Sequence, residues 1–206
     1  MERSIIVPEN HKHVLGLHLP TDPRWVELAS IHIEDILSDH AYCEQKAATA
    51  CISIIQNFPD KIEMVRALAP IVTEEWGHFR MVLEELEKRG LTLGPQRKDE
   101  YVNALKQFER KPEDRTERMI ERLISMALIE ARSCERFRLL SIYIADDDLK
   151  RFYYQFMVSE AGHYRLFIDL AKKYSDEAKV MKRWAEYLDY EAELMKRLEV
   201  RGDRIH

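Results

Sequence analysis

Two short stretches of this sequence place a carboxylate and an imidazole three residues apart. EWGHFR covers residues 75–80, and EAGHYR covers residues 160–165, 85 positions later in the chain. In a helix, residues i and i+3 lie on one face, so each Glu and His pair is placed to ligate one metal ion. A single Glu-x-x-His is usually a surface pair, whereas two copies favour a metal site.

A second glutamate precedes each hexapeptide at nearly the same distance. Glu44 lies 31 positions before Glu75, and Glu130 lies 30 positions before Glu160. The surrounding letters also correspond, since EQKAA (44–48) resembles EARSC (130–134). Residues equally far from the turn of a helical hairpin lie opposite each other, so each half of the chain is predicted to contribute one Glu and one Glu-x-x-His at matching depth.

The charge of this arrangement favours two divalent metal ions. Carboxylates within apolar helical stripes are costly to bury without a partner. Two divalent ions would supply a charge of +4 against four carboxylates, and Gly77 and Gly162 would leave room beside the histidines. Arg80 and Arg165 are expected to partner the carboxylates. The predicted ligands are Glu44, Glu75, His78, Glu130, Glu160 and His163. Glu135 is an alternative to Glu130, and Asp39 or His40 could join or replace a ligand.

The elements that must position these residues are helices. Apolar residues recur at helical spacing over about 24–57, 61–89 (with a kink at Pro70) and 115–145. A fourth long helix is expected to follow the turn at 145–148 and to run to about 173, a fifth over 176–199, and a short helix over 100–108. Turns such as NFPD and ADDD separate them. The pattern predicts an all-α fold: a four-helix bundle over about 24–174 with one crossover, plus an additional C-terminal helix. An irregular segment is expected over 1–22, and the whole chain 1–206 is expected to form one domain.

Composition narrows the class of protein further. The 206 residues carry a formal charge of −5, so no overall basic field indicates nucleic-acid binding. No apolar run is long enough to span a membrane, and the N-terminus has no secretory pattern. Three cysteines without a CxxC pair are typical of the reducing cytoplasm. Basic clusters such as Arg97-Lys98 and Arg110-Lys111 could form a rim around a pocket, although each is more typical of a solvated helix face.

The ligand pattern resembles the ferritin-like di-iron bundles. Longer stretches are similar to the bacterial tRNA hydroxylases that act on 2-methylthio-N6-isopentenyladenosine next to the anticodon. They are LGLHLPTDPRW (15–25), ILSDHAYCEQKAA (36–48), EEWGHFRMVLEELEKRG (74–90), ALIEARSCERF (127–137) and SEAGHYRLF (159–167). The resemblance implies an oxygen-dependent monooxygenase that hydroxylates the isopentenyl group of the tRNA base.

The same resemblance implies the cofactors and the partition of the ligands. One iron would be held by Glu44, Glu75 and His78, and the other by Glu130, Glu160 and His163, with Glu75 and Glu160 as bridges. O2 would be the co-substrate, and tRNA the substrate. Two electrons would come from an external reductase or ferredoxin-type donor, because the sequence contains no flavin or nicotinamide fingerprint.

Other functions remain compatible with the residues. A ferritin-like protein that stores or detoxifies iron would use similar ligands, as would a di-iron hydroxylase of another small molecule. A rubrerythrin-like peroxidase is disfavoured because its paired CxxC motifs are missing. A purely structural helical bundle would be stable without metal.

Overall fold

The computed structural model describes residues 14–206, so the predicted irregular segment 1–22 falls partly outside it. Within the described residues there is no strand, and none of the helices is long and apolar enough to cross a membrane. A 3-10 turn at Val14–Gly16 precedes seven helices. These are α1 (Arg24–Ile31), α2 (Ile33–Asn57), α3 (Ile62–Lys88), α4 (Glu100–Phe108), α5 (Arg115–Tyr143), α6 (Asp147–Lys173) and α7 (Glu177–Arg197).

Four long helices form the bundle as two hairpins. Helix α2 packs along α3, and α5 packs along α6. The connection between the hairpins, residues 89–114, contains α4 and is the single crossover. Helix α7 packs against α5 and α6 on the outside of the bundle. This arrangement confirms the predicted four-helix bundle with one additional C-terminal helix.

The helix boundaries follow local chemistry, with one departure from the prediction. Asp99, Asp114, Asp146 and Asp176 each cap the N-terminus of a helix by accepting hydrogen bonds from backbone N–H groups. The predicted helix over 24–57 is instead two helices, because His32 adopts non-helical angles (φ −119°, ψ 43°) between α1 and α2. Helix α3, by contrast, continues through Pro70.

The segment after α7, residues 198–206 (the C-terminal segment), lies against the bundle. Gly202 fits closely on α1, because a Cβ at this position would lie 2.3 Å from the carbonyl carbon of Leu28. The Trp25 indole donates a hydrogen bond to the carbonyl oxygen of Arg204 (3.1 Å), and the backbone N–H of Ile205 donates to Asp39 Oδ2 (2.7 Å). These contacts bring His206 to the surface of α2 and α5.

A buried ion network connects α7 and residues 19–21, which precede α1, to α5. The Arg132 side chain is fully buried and donates hydrogen bonds to Glu191 (2.8 and 2.9 Å) and to Glu135 (2.5 Å). It also donates to the hydroxyl of Thr21 (3.0 Å) and to the carbonyl of Leu19 (2.8 Å). A buried charge needs such complete pairing, so these contacts fix the direction in which Arg132 and Glu135 leave α5.

Candidate metal centre

The six predicted ligand side chains meet at one level inside the bundle. Each of the four long helices supplies one glutamate, and α3 and α6 each add a histidine one turn after the glutamate. Five of the six residues are buried, and the side chain of the sixth, His78, is 12% exposed. The hairpin geometry anticipated from the sequence therefore places Glu44 opposite Glu75, and Glu130 opposite Glu160.

The side chains form two overlapping groups. Ligand atoms of Glu44, Glu75, His78 and Glu160 lie within 4.8 Å of one another, and so do those of Glu75, Glu130, Glu160 and His163. Glu75 and Glu160 belong to both groups. The Oε2 atom of Glu75 is 3.3 Å from His78 Nδ1, and its Oε1 atom is 2.8 Å from His163 Nδ1. This position between two histidines is the one expected for a bridging carboxylate.

The electrostatics of the cluster show an excess of negative charge. Burial, together with the neighbouring Glu160 charge, raises the pKa of Glu44 and holds the pKa of Glu130 well above its usual range. Burial alone would lower the pKa of His78, but its contacts with Glu44 and Glu75 raise it to about 10. The cluster therefore attracts positive charge, and a divalent cation is a stronger source of it than a proton.

The donor atoms fit a pair of divalent cations. Glu75 Oε1 and His163 Nε2 are buried and make no hydrogen bond of acceptable geometry, even though each lies close to an ionisable neighbour. Buried polar atoms of this kind need a partner. Four carboxylates and two imidazoles form an oxygen-rich donor set of the kind that ferritin-like bundles use for iron. The six residues can accordingly hold two metal ions with shared carboxylates.

His40 lies beside the cluster, in an aromatic environment. Its Nε2 atom is 2.7 Å from Glu44 Oε1, without hydrogen-bond geometry, and its ring packs 4.6 Å from Phe137 and 4.5 Å from Phe156. Burial lowers the pKa of His40 to about 3, so the imidazole is neutral. A neutral imidazole this close to Glu44 can help to orient the carboxylate, and a small rotation of the ring would let its Nε2–H donate a hydrogen bond to Oε1.

The other two alternative ligands have different partners. Glu135 accepts hydrogen bonds from Arg132 and from Thr21, on the far side of α5 from Glu130. Asp39 accepts from the backbone N–H of Ile205. Neither belongs to the two ligand groups, whereas Glu130 does.

Two expectations about the hexapeptides are wrong. Arg80 and Arg165 are exposed and do not partner the buried carboxylates, because a residue two positions after a helical histidine faces roughly the opposite direction. Gly77 and Gly162 do not make room in the centre, since a Cβ at either position would meet no atom within 4 Å.

A cavity of about 440 Å³ leads to the cluster between α2, α4, α5 and the C-terminal segment. This volume is typical of small-molecule sites, which span roughly 300–1,000 Å³. Glu44, Glu130 and Glu160 lie at one side of the cavity. The apolar part of its lining includes Ala47, Ala50, Val102, Met126 and Ile129, and its cationic side chains are Lys46, Lys106 and Arg122.

The basic clusters selected from the sequence do not line this cavity. Arg97 pairs with Asp35 and Asp203, and Arg110 pairs with Glu186. Lys46 and Lys106 belong to none of these clusters, because each is the only Lys or Arg of its helix, and Arg122 has no basic residue next to it in the sequence. Only the packing of α2, α4 and α5 brings the three together, and no local pattern could have indicated this.

Comparison with known proteins places the chain in a family. The sequence pattern of the tRNA-(MS2IO6A)-hydroxylase (MiaE) family matches residues 6–206. This chain belongs to the MiaE family. A relative from Pseudomonas putida, named tRNA 2-(methylsulfanyl)-N(6)-isopentenyladenosine(37) hydroxylase, is 35% identical over 164 residues, which are 80% of this chain and 78% of the relative. A protein of the same name from Salmonella typhimurium is 26% identical over 210 residues, covering 78% and 77% of the two chains.

The fold is shared with a solved structure of different activity. A protein from Synechococcus, described as having aldehyde deformylating oxygenase activity, superposes with a TM-score of 0.87 at 32% identity. The similarity covers 92% of the MiaE-family chain and 94% of the Synechococcus chain. This match confirms the predicted ferritin-like fold.

Proposed function

We propose that this chain is an oxygen-dependent di-iron monooxygenase that hydroxylates the isopentenyl group of 2-methylthio-N6-isopentenyladenosine in tRNA, next to the anticodon. The observation that carries the proposal is the duplicated Glu and Glu-x-x-His set at the side of an apolar cavity. Membership in the MiaE family supports the choice of substrate. The activity is assigned to one ferritin-like domain spanning residues 1–206, acting in the cytoplasm.

The six clustered side chains would hold two iron ions. Glu44 and His78 would belong to one ion, Glu130 and His163 to the other, and Glu75 and Glu160 to both. When bound, the iron pair supplies the activation of O2 that hydroxylation of a C–H bond requires and that acid–base side chains cannot provide. Two electrons would come from a separate reductase or ferredoxin-type protein.

The chain's own residues would bind and orient the substrate. The apolar lining from Ala47, Ala50 and Ile129 matches a branched five-carbon group and excludes water from the reacting carbon. Lys106 and Arg122 are suited to the phosphates of the nucleotide that remains outside the cavity, whereas Lys46 pairs with Asp99. His40 would hold Glu44 in its ligating orientation.

The test is oxygen uptake by the iron-loaded, reduced protein with tRNA that carries the prenylated base. We expect two irons per chain and uptake matched by formation of the hydroxylated nucleoside. The matched control is tRNA with unmodified adenosine at that position, which should support no coupled uptake. Stoichiometric iron without tRNA-coupled turnover would contradict the substrate but keep the metal centre.

A second candidate function comes from the Synechococcus structure. Its described aldehyde deformylating oxygenase activity, at 32% identity, favours aldehydes as an alternative substrate class. The same cavity could take an apolar chain, but the cationic Lys106 on its wall would then have no anionic partner in the substrate, while Lys46 and Arg122 already pair with Asp99 and Glu109. Deformylation of an aldehyde by the iron-loaded, reduced protein, without turnover of prenylated tRNA, would support this alternative.

A further inference from the structure

A second group of metal-ligating side chains lies on the wall of the cavity. Cys43 comes from α2, Asp99 precedes α4, and His206 belongs to the C-terminal segment. Their ligand atoms lie within 4.8 Å of one another, and none of the three belongs to the proposed iron ligands. His206 Nδ1 is 3.8 Å from Cys43 Sγ and 3.8 Å from Asp99 Oδ2.

The surrounding contacts orient these three side chains toward one another. The Nε2 atom of His206 is 2.8 Å from the Ser133 hydroxyl, and its ring stacks on Tyr101 at 5.2 Å, which leaves Nδ1 facing the thiol. Asp99 uses Oδ1 to cap α4 by accepting from Val102 N–H (2.9 Å), so Oδ2 faces the cluster. A histidine whose second nitrogen is hydrogen-bonded is the usual arrangement in metal sites.

We propose that Cys43, Asp99 and His206 bind one divalent transition-metal ion of intermediate softness, such as Zn²⁺ or Co²⁺. Thiolate, imidazole and carboxylate are the donors that such ions take. Bonds of about 2.3 Å to sulfur and about 2.0–2.1 Å to nitrogen or oxygen place tetrahedral ligand atoms roughly 3.3–3.6 Å apart. The two separations that involve His206 Nδ1 need to shorten by only a few tenths of an ångström, and all three residues line the cavity.

The local charge balances when such an ion binds. Asp39 is a second carboxylate beside Asp99, because its Oδ2 atom lies 3.8 Å from Cys43 Sγ. One cation is also close, since the Lys46 ammonium is 2.7 Å from Asp99 Oδ2. On binding, Cys43 forms its bond to the ion as a thiolate and releases its proton to the solvent. Three negative charges then face Lys46 and a divalent ion, which gives a net charge of zero. A carboxylate oxygen has two lone pairs, so Asp99 Oδ2 can serve Lys46 and the ion together.

Cobalt titration tests this site independently of the proposed function. The six proposed iron ligands contain no sulfur, so a near-ultraviolet thiolate-to-cobalt charge-transfer band reports on Cys43 alone among the bound ligands. In the full-length, iron-loaded protein we expect this band to saturate at one Co²⁺ per chain. His206→Ala should weaken Co²⁺ binding roughly tenfold or more.

Matched variants separate the possible outcomes. Cys43→Ser should abolish the band, while Cys134→Ser, a change of the same kind at a buried cysteine outside the group, should keep it. Glu75→Gln should lower the iron content and leave the band intact, which distinguishes a failure of this site from a failure of the iron centre. The proposal is overturned if the unaltered protein shows no band at saturating Co²⁺, if the band survives in Cys43→Ser, or if His206→Ala binds Co²⁺ with unchanged affinity.

Discussion

Replacement of Glu75 by glutamine should change the metal-free and the iron-loaded protein in opposite directions. Glu75 lies between His78 and His163, and it belongs to both ligand groups. Glutamine has nearly the same shape but no charge. The iron-loaded protein should therefore lose a shared ligand, and the metal-free protein should lose a source of repulsion.

The size of the expected change in stability follows from the spacing of the carboxylates. Ligand atoms of Glu75 and Glu44 lie within 4.8 Å. Two unit charges at that distance repel by about 3 kcal/mol at an effective dielectric constant of about 20. Protonation and the adjacent histidines relieve part of this repulsion, so glutamine should raise the free energy of unfolding of the metal-free protein by roughly 1–3 kcal/mol at neutral pH.

The pH dependence independently gives the sign of the stability change that Glu75→Gln causes in the metal-free protein. Burial, together with Glu44, raises the pKa of Glu75, so the folded state holds this proton more tightly than the unfolded state. The stability of the metal-free protein consequently falls as the pH rises from the usual Glu pKa of about 4.3 through the raised value. The advantage of Glu75→Gln should be present at neutral pH and disappear toward pH ~4.

Urea unfolding of chelator-treated protein at the two pH values measures this difference, and metal analysis of reconstituted protein measures the loss of iron. Glu84→Gln, a surface change on the same helix, is the matched control and should alter neither quantity. Full iron content in Glu75→Gln would refute the shared-ligand assignment. A metal-free variant less stable than the unaltered protein at neutral pH would refute the electrostatic reasoning.

Three further changes test other parts of the structure. Arg132→Met should lower the free energy of unfolding by about 3–5 kcal/mol in urea titrations, because it leaves two buried carboxylates without their cation. His40→Phe should lower iron affinity roughly 10–100-fold in competition with a chelator, since the ring would still pack but could not orient Glu44. Lys106→Met combined with Arg122→Met should weaken tRNA binding and reduce the slope of log affinity against log salt by about 2.

Each of these predictions has a result that would contradict it. A loss of stability below about 1 kcal/mol in Arg132→Met would mean that water or rearrangement replaces the lost cation. Unchanged iron affinity in His40→Phe would limit His40 to packing. The slope of log tRNA affinity against log salt could also stay unchanged in the Lys106→Met, Arg122→Met double variant, which would place the tRNA phosphates elsewhere. Lys150→Met is the surface control for this measurement.

The clustering of the six candidate ligands could be predicted from the sequence, because the residue pattern that indicates it is short and occurs twice. Glu-x-x-His fixes two side chains on one helical face, and the equal offsets of Glu44 and Glu130 fix their depth in each hairpin. The cavity wall could not be predicted in this way. Cys43, Asp99 and His206 are far apart in the chain, and no periodicity links a single histidine to a helix 160 residues earlier. The break at His32 was missed for a related reason, since the apolar spacing continues across it.

The C-terminal segment has a consequence for how this enzyme could diversify. One residue of the cavity wall, His206, comes from a short stretch outside the bundle, which is held on α1 where Gly202 meets Leu28 and on α2 through Asp39. Substitutions in residues 198–206 can therefore reshape the cavity while the four ligand-bearing helices keep their packing. This part of the cavity wall is in this sense separable from the ligand-bearing helices, so the shape of the cavity beside His206 can evolve, or be engineered, without disturbing the packing of the bundle.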